Sequence, residues 1–120
     1  MIQFLSKTLI TSFAVLAATY LLSGVHIDSV LTAIFVAAVL GLLNNFIKPI
    51  LIILTIPITI FTLGLFLLVI NIIIIKLAAD IVPGFQVDGW FSALLFSLIV
   101  SFITSLIEGL IKNNQPEKNN

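Results

Sequence analysis

Residues 49–75 carry no charged side chain, and neither do residues 9–22, 30–47 and 90–107. A soluble domain covers its outside with polar groups, and typical soluble chains are about 25% charged. Here 8% of 120 residues are charged and 61% are hydrophobic, too few polar groups to clothe a water-facing surface. Lipid accepts apolar side chains without cover, provided that the backbone satisfies its own hydrogen bonds. The fold class that follows is an all-α membrane protein.

A helix rises about 1.5 Å per residue, so roughly 20 residues cross a hydrocarbon core of about 30 Å. The apolar blocks 4–23, 29–47 and 90–111 fit one crossing each. Block 49–75 is too long for one and contains Pro49, Pro57 and Gly64. A proline removes an N–H and crowds the preceding turn, so a straight helix through Pro57 is not expected. The third crossing is placed at 64–82. Residues 49–63 become a proline-broken apolar connector, either a bent extension of helix 2 or a re-entrant hairpin. The expectation is one domain over 1–111, a bundle of about four transmembrane helices, followed by a polar, disordered tail at 112–120.

Lys7 ahead of an apolar block imitates a secretory signal, but the region around Ser23 and Gly24 lacks a small-x-small cleavage pattern. The block is read as a retained span. Five Lys balance five acids, so there is no basic surface for nucleic acid. There is no Cys, and no residue set resembles a catalytic triad, a metal cluster or a phosphate-binding glycine loop. No enzyme activity, cofactor or metal is expected. The lipid bilayer is the expected partner, and a homo-oligomer is an open reading.

Gly24-Val25-His26-Ile27-Asp28 is repeated 60 residues on as Gly84-Phe85-Gln86-Val87-Asp88. With the same offset, Ala33, Ala37, Gly41 and Asn45 align with Ala93, Ser97, Ser101 and Ser105. A duplicated two-helix hairpin, its copies related by an axis along the membrane normal, would produce this pattern. The series Ala93, Ser97, Ser101, Ser105 and Gly109 keeps to one side of helix 4, as Ala33, Ala37 and Gly41 do on helix 2. Small residues let helix backbones approach closely in lipid, and helix packing is the expected role. The rival reading is a serine-lined polar path in an oligomer. Asn45 and Asn71 are expected to be buried polar groups facing the bundle, since an amide against acyl chains has no partner.

The segments Asn45-x-x-Lys48-Pro49-Ile50-Leu51, Leu54-Thr55-x-Pro57, Thr62-Leu63-Gly64-Leu65-Phe66 and Ile70-Asn71 resemble the central signature of a bacterial family. So does Val82-Pro83-Gly84-Phe85-x-Val87-x-Gly89-Trp90. The chain is similar over residues 2–111 to the phage-holin-like superfamily IV, the four-helix mycobacterial-type holins. That resemblance implies a bacterial inner-membrane protein. It also implies self-association that permeabilises the membrane; a non-lytic structural or regulatory role, or a small transporter, is the alternative.

Lys7, Lys48, Lys112 and Lys118 fall on one side of a four-crossing chain, and Asp28, Asp80 and Asp88 on the other. Lys76 is the exception, about one turn inside the outer end of helix 3, where it can snorkel outward or meet Asp80 four residues on. Cytoplasmic loops are enriched in Lys and Arg, which puts both termini in the cytoplasm. A periplasm-dependent reporter fused after Ile111 is expected to be inactive, and one placed in the 80–89 loop active. The reverse pattern would overturn the topology.

Overall fold

The computed structural model describes residues 2–113. Helix α1 (Ile2–Leu21) leads into strand β1 (Val25–Ile27). Ser29 then opens helix α2 (Val30–Leu42), its Oγ accepting the Thr32 N–H at 3.2 Å, which satisfies one of the donors a helix start leaves free. Helix α2 does not stop at residue 47. It passes through a π-helical turn (Leu43–Ile47) into α3 (Lys48–Leu54), so the first half of 49–63 extends helix 2. Pro49 explains the wide turn: it has no N–H for the carbonyl four residues back, and its ring crowds that carbonyl. The Lys48 N–H instead reaches Leu43 O, five residues back.

The chain breaks at Thr55 and restarts as α4 (Ile56–Phe61), with Pro57 in its first turn, where a missing N–H costs nothing. Leu63 and Gly64 then take left-handed backbone, with φ of 59° and 92°. Gly64 N bonds Thr59 O at 2.8 Å, a closing bond typical of helix ends. The Thr62 hydroxyl donates to Ile58 O and accepts from Phe66 N, linking α4 to α5 (Phe66–Ile81). After Pro83 and Gly84 comes strand β2 (Phe85–Val87), and α6 (Gly89–Asn113) completes the described chain. Residues 114–120, most of the expected polar tail, lie outside it; Lys112 and Asn113 belong to α6.

Helix α1, the continuous run Val30–Leu54 and α6 are each long and apolar enough to cross a membrane. Helix α5, at 16 residues, is about 24 Å long; α3 and α4 pack beside its start. The architecture is an all-α membrane bundle, with one short two-stranded ribbon that the apolar pattern does not announce.

That ribbon is made by the repeated loop motif. Strands β1 and β2 pair antiparallel, Val25 with Val87, His26 with Gln86 and Ile27 with Phe85. Asp28 N bonds Gly84 O at 3.0 Å, and Asp88 N bonds Gly24 O at 2.7 Å. The two copies therefore bind each other as a two-fold axis through the ribbon would require. Beneath it, residues 60 apart are buried together: Ala18 and Ala78, Ala33 and Ala93, Val36 and Phe96. Phe85 also meets Phe96, ring centroids 5.4 Å apart. This apolar plug closes the ribbon end of the bundle.

Gly84 holds a φ of +89°, and a Cβ there would lie 2.6 Å from Asp28 Oδ2. Left-handed backbone alone costs a side-chain-bearing residue roughly 1–2 kcal/mol. Gly84→Ala is expected to lower stability in detergent by at least that much. Gly109→Ala, on an open helix face, is expected to be neutral or to stabilise by roughly 0.5–1 kcal/mol. Equal effects in thermal unfolding would contradict the ribbon's role as the clasp of the bundle.

A polar vestibule as the candidate functional site

Below the plug the interior changes character. A cavity of about 660 Å³ lies between α1, the Leu40–Lys48 stretch, α5 and the second half of α6. Its wall repeats the internal symmetry: Gly41 and Ser101, Asn44 and Thr104, Asn45 and Ser105, Lys48 and Glu108 all line it, each pair 60 residues apart. Thr11 and Asn71 form one more such pair. These five pairs of cavity-lining residues thus follow the symmetry that the ribbon shows.

Two charged groups come from the symmetric pair and one from α1. Lys48 Nζ donates to Asn71 Oδ1 at 2.7 Å, across 23 residues of sequence. Lys7 Nζ donates to Glu108 Oε2 at 2.9 Å. Both contacts are charge-assisted, the kind that holds when water is scarce. The Lys7–Glu108 pair is about half exposed at the mouth, and Glu108 uses it instead of Lys112. Thr8 and Thr11 are buried on the α1 wall. Thr104 borders the cavity, and its hydroxyl is buried with no hydrogen-bond partner among the described residues.

The small-residue series divides at this boundary. Ala33, Ala37, Ala93 and Ser97 are buried among helices, whereas Ser101 and Ser105 are exposed on the cavity wall and Gly109 faces open space. The series therefore changes its surroundings along α6, while Val100 and Thr104 on the same stretch stay buried. The rival reading concerned an oligomer; in the single chain these serines border the cavity. Gly41 is half-buried beside the Phe4 ring. Asn45, expected to be buried, is exposed at the cavity wall; Asn71 is half-buried and faces the bundle.

Pro49, Pro57, Thr62, Gly64, Pro83, Gly84 and Phe85 lie outside the cavity and serve the turns and the plug already described. Lys48 and Asn71 are the two motif residues that meet in it. Sequence reasoning missed that contact and the parts played by Lys7, Thr11 and Thr104. The signal was present: Asn44, Asn45 and Lys48 have the spacing of Thr104, Ser105 and Glu108, at the offset of the repeat. Near the ribbon, His26 lies 3.6 Å from Asp88, and both side chains are exposed. Lys76 forms no ion pair with Asp80 among the described residues. No group of three or more metal-ligating side chains occurs among the described residues.

A polar vestibule inside an apolar four-helix bundle defines a small multi-pass membrane protein, and comparison with known proteins gives its family. The model of the mycobacterial 4 TMS phage holins, superfamily IV, matches residues 2–106, and the chain belongs to that family. It is 38% identical over 109 residues to the uncharacterized membrane protein YvlD of Bacillus subtilis (strain 168), covering 90% of this chain and 92% of that one. It is 39% identical over 112 residues to the uncharacterized protein SCO3922 of Streptomyces coelicolor, covering 85% and 90%. No solved structure matches it.

Removing one partner of a sheltered polar contact costs more than the contact itself contributes, about 1–3 kcal/mol and more for a charged group. Asn71→Leu is therefore expected to destabilise the protein by about 2 kcal/mol, and adding Lys48→Met to recover most of that loss. Thr104→Val, which removes an unpartnered hydroxyl at nearly constant volume, is expected to be neutral or stabilising. Detergent unfolding of the four variants checks this; strictly additive losses for Asn71→Leu and Lys48→Met would show that the pair is not coupled.

Proposed function

We propose that this protein is a non-lytic inner-membrane member of the holin-like family that admits a small polar solute into the vestibule of its own bundle from the cytoplasmic side. The observation that carries this reading is where the polar groups lie. Lys48, Asn71, Thr104 and Glu108 surround the internal cavity, while Phe13, Phe35, Leu98, Phe102 and Leu106 are exposed on the outside of the spans, as lipid contact requires. A water-filled lesion built from many copies needs a polar face on each copy to line its lumen along the whole membrane thickness, and the outer faces of these helices carry Phe13, Phe35, Leu98, Phe102 and Leu106. The plug around Phe96 and the open mouth near Lys7 give a vestibule with one entrance, the arrangement of a gated carrier or sensor. Charge placement supports assigning that entrance, with both termini, to the cytoplasm.

The family resemblance favours the second reading, self-association that permeabilises the membrane, and one experiment separates the two. Full-length protein is expressed to high level with a small impermeant dye outside the cells. Ser101→Cys is then tested with a membrane-impermeant thiol reagent in inside-out and right-side-out vesicles. The expected result is no dye entry, with labelling of Ser101→Cys from the cytoplasmic face only. Dye entry together with labelling from both faces would overturn the proposal in favour of the lytic reading.

A further inference from the structure

Lys48 is an ammonium inside a membrane bundle whose one direct partner among the described residues is a neutral amide oxygen. No carboxylate lies within 4.0 Å of it among those residues. Glu108, the acid that the repeat places opposite it, is taken by Lys7. A sheltered charge is costly unless paired, and the amide of Asn71 occupies one of three ammonium donors. A second unmet demand lies on the same cavity: the Thr104 hydroxyl, buried to 7% exposure and without a partner among the described residues. Lys48 brings positive charge that the cavity's other charged pair does not balance, and Thr104 brings a hydroxyl able to donate. The space of about 660 Å³ falls in the range of small-molecule sites.

We infer that Lys48 anchors a binding site in the vestibule for a singly charged oxyanion, a carboxylate or a phosphodiester, with the Thr104 hydroxyl and the Asn44 and Asn45 amides as further hydrogen-bonding groups on the wall. One negative charge answers the one unbalanced ammonium. The acceptor oxygens of such a group suit donors that are otherwise idle, and Asn71 fixes the ammonium in place as Pro49 and the π turn fix the backbone that carries it. The mouth opens beside Gln3, Phe4 and Lys7. A small carboxylate reaches it from water, and the phosphodiester of an anionic lipid headgroup from the adjoining leaflet.

This inference rests on the vestibule reading, and the Ser101→Cys labelling above tests that reading separately. The site itself is tested with full-length protein in phosphate-free maltoside detergent at constant ionic strength. Thermal stability is followed while sodium acetate, or dioleoyl phosphatidylglycerol, is titrated in. Wild-type protein is expected to be stabilised saturably by at least one of the two. Lys48→Gln should weaken that apparent affinity at least tenfold, Lys48→Arg should retain most of it, and Lys112→Gln, a lysine that is not part of the cavity wall, should leave it unchanged. A response to acetate identifies a soluble carboxylate as the source, and a response to phosphatidylglycerol alone identifies a headgroup. No saturable response to either, or the same response in Lys48→Gln as in wild type, would overturn the inference. Should Lys48→Gln not fold, Thr104→Val carries the comparison, and an unchanged affinity there would be equally fatal. Ser101→Cys labelled from the cytoplasm with no anion response removes the site and keeps the vestibule; no labelling removes both.

Discussion

Hydrocarbon offers no hydrogen bonds, and each feature of this bundle answers to that. Backbone groups have to be satisfied within the helices or at turns that protein shelters, which is why Pro49 is met by a π turn and the 62–65 corner by the Thr62 hydroxyl and the Gly64 N–H. Polar side chains have two economical places, the bundle axis or the membrane surface. Ser12 and Thr19 bond carbonyls of their own helix, a local solution open to short hydroxyls. Asn71, Lys48 and Glu108 are too large or too charged for that and must find one another, or water, at the axis. The vestibule is the volume their mutual requirement leaves.

The internal repeat gives this arrangement its economy and also its asymmetry. Two loops of the same pattern exchange backbone hydrogen bonds and clasp two helical hairpins; the same offset then aligns alanines where helices touch and polar residues where they part. Symmetry breaks where chemistry requires it. A strict duplication would oppose like residues, two lysines or two glutamates, whose repulsion at short range in a poor dielectric would be severe. Lys48 facing the position of Glu108 removes that conflict, and Lys7, whose counterpart in the second half is Leu67, takes the carboxylate for itself. The outcome is one neutral pair, Lys7 with Glu108, and one ammonium, Lys48, held by the Asn71 amide.

Much of this was legible in the residues. Uncharged stretches of the right length give the crossings, and the loop motif with its offset gives the duplication. The motif of Lys48, Pro49 and Asn71 points to the family. The ribbon was hidden because three-residue strands are too short to show an alternating pattern, although the matching loops that form it were in view. The π turn was hidden because a proline announces a disturbance without saying how the backbone resolves it. The Lys48–Asn71 contact depends on how far α3 continues past Pro49, which is a tertiary outcome. The small-residue stripe is limited for a similar reason: its spacing records a helix face but not what that face meets, and Ser101 and Ser105 are exposed on the cavity wall.

The same change of lining bears on what the closed bundle can do. Towards the ribbon the interior is filled by Val36, Phe85 and Phe96, each at most 2% exposed, and the ribbon ties the two halves together over them. A polar group that reaches Lys48 therefore still faces a packed apolar layer, where each unpaired hydrogen-bonding group costs several kcal/mol. In this conformation the vestibule ends at the plug and offers no polar path across. Passage would require the two halves to separate at the plug while the ribbon at one end keeps them in register, a rocking motion for which a pseudo-two-fold axis along the membrane normal is the natural pivot. A bundle that only sealed the membrane would gain more by filling the lower half with leucine, as it fills the upper half with alanine, valine and phenylalanine. The presence of Lys48, Asn71 and Thr104 around the cavity in place of such residues is the physical argument behind the vestibule proposal.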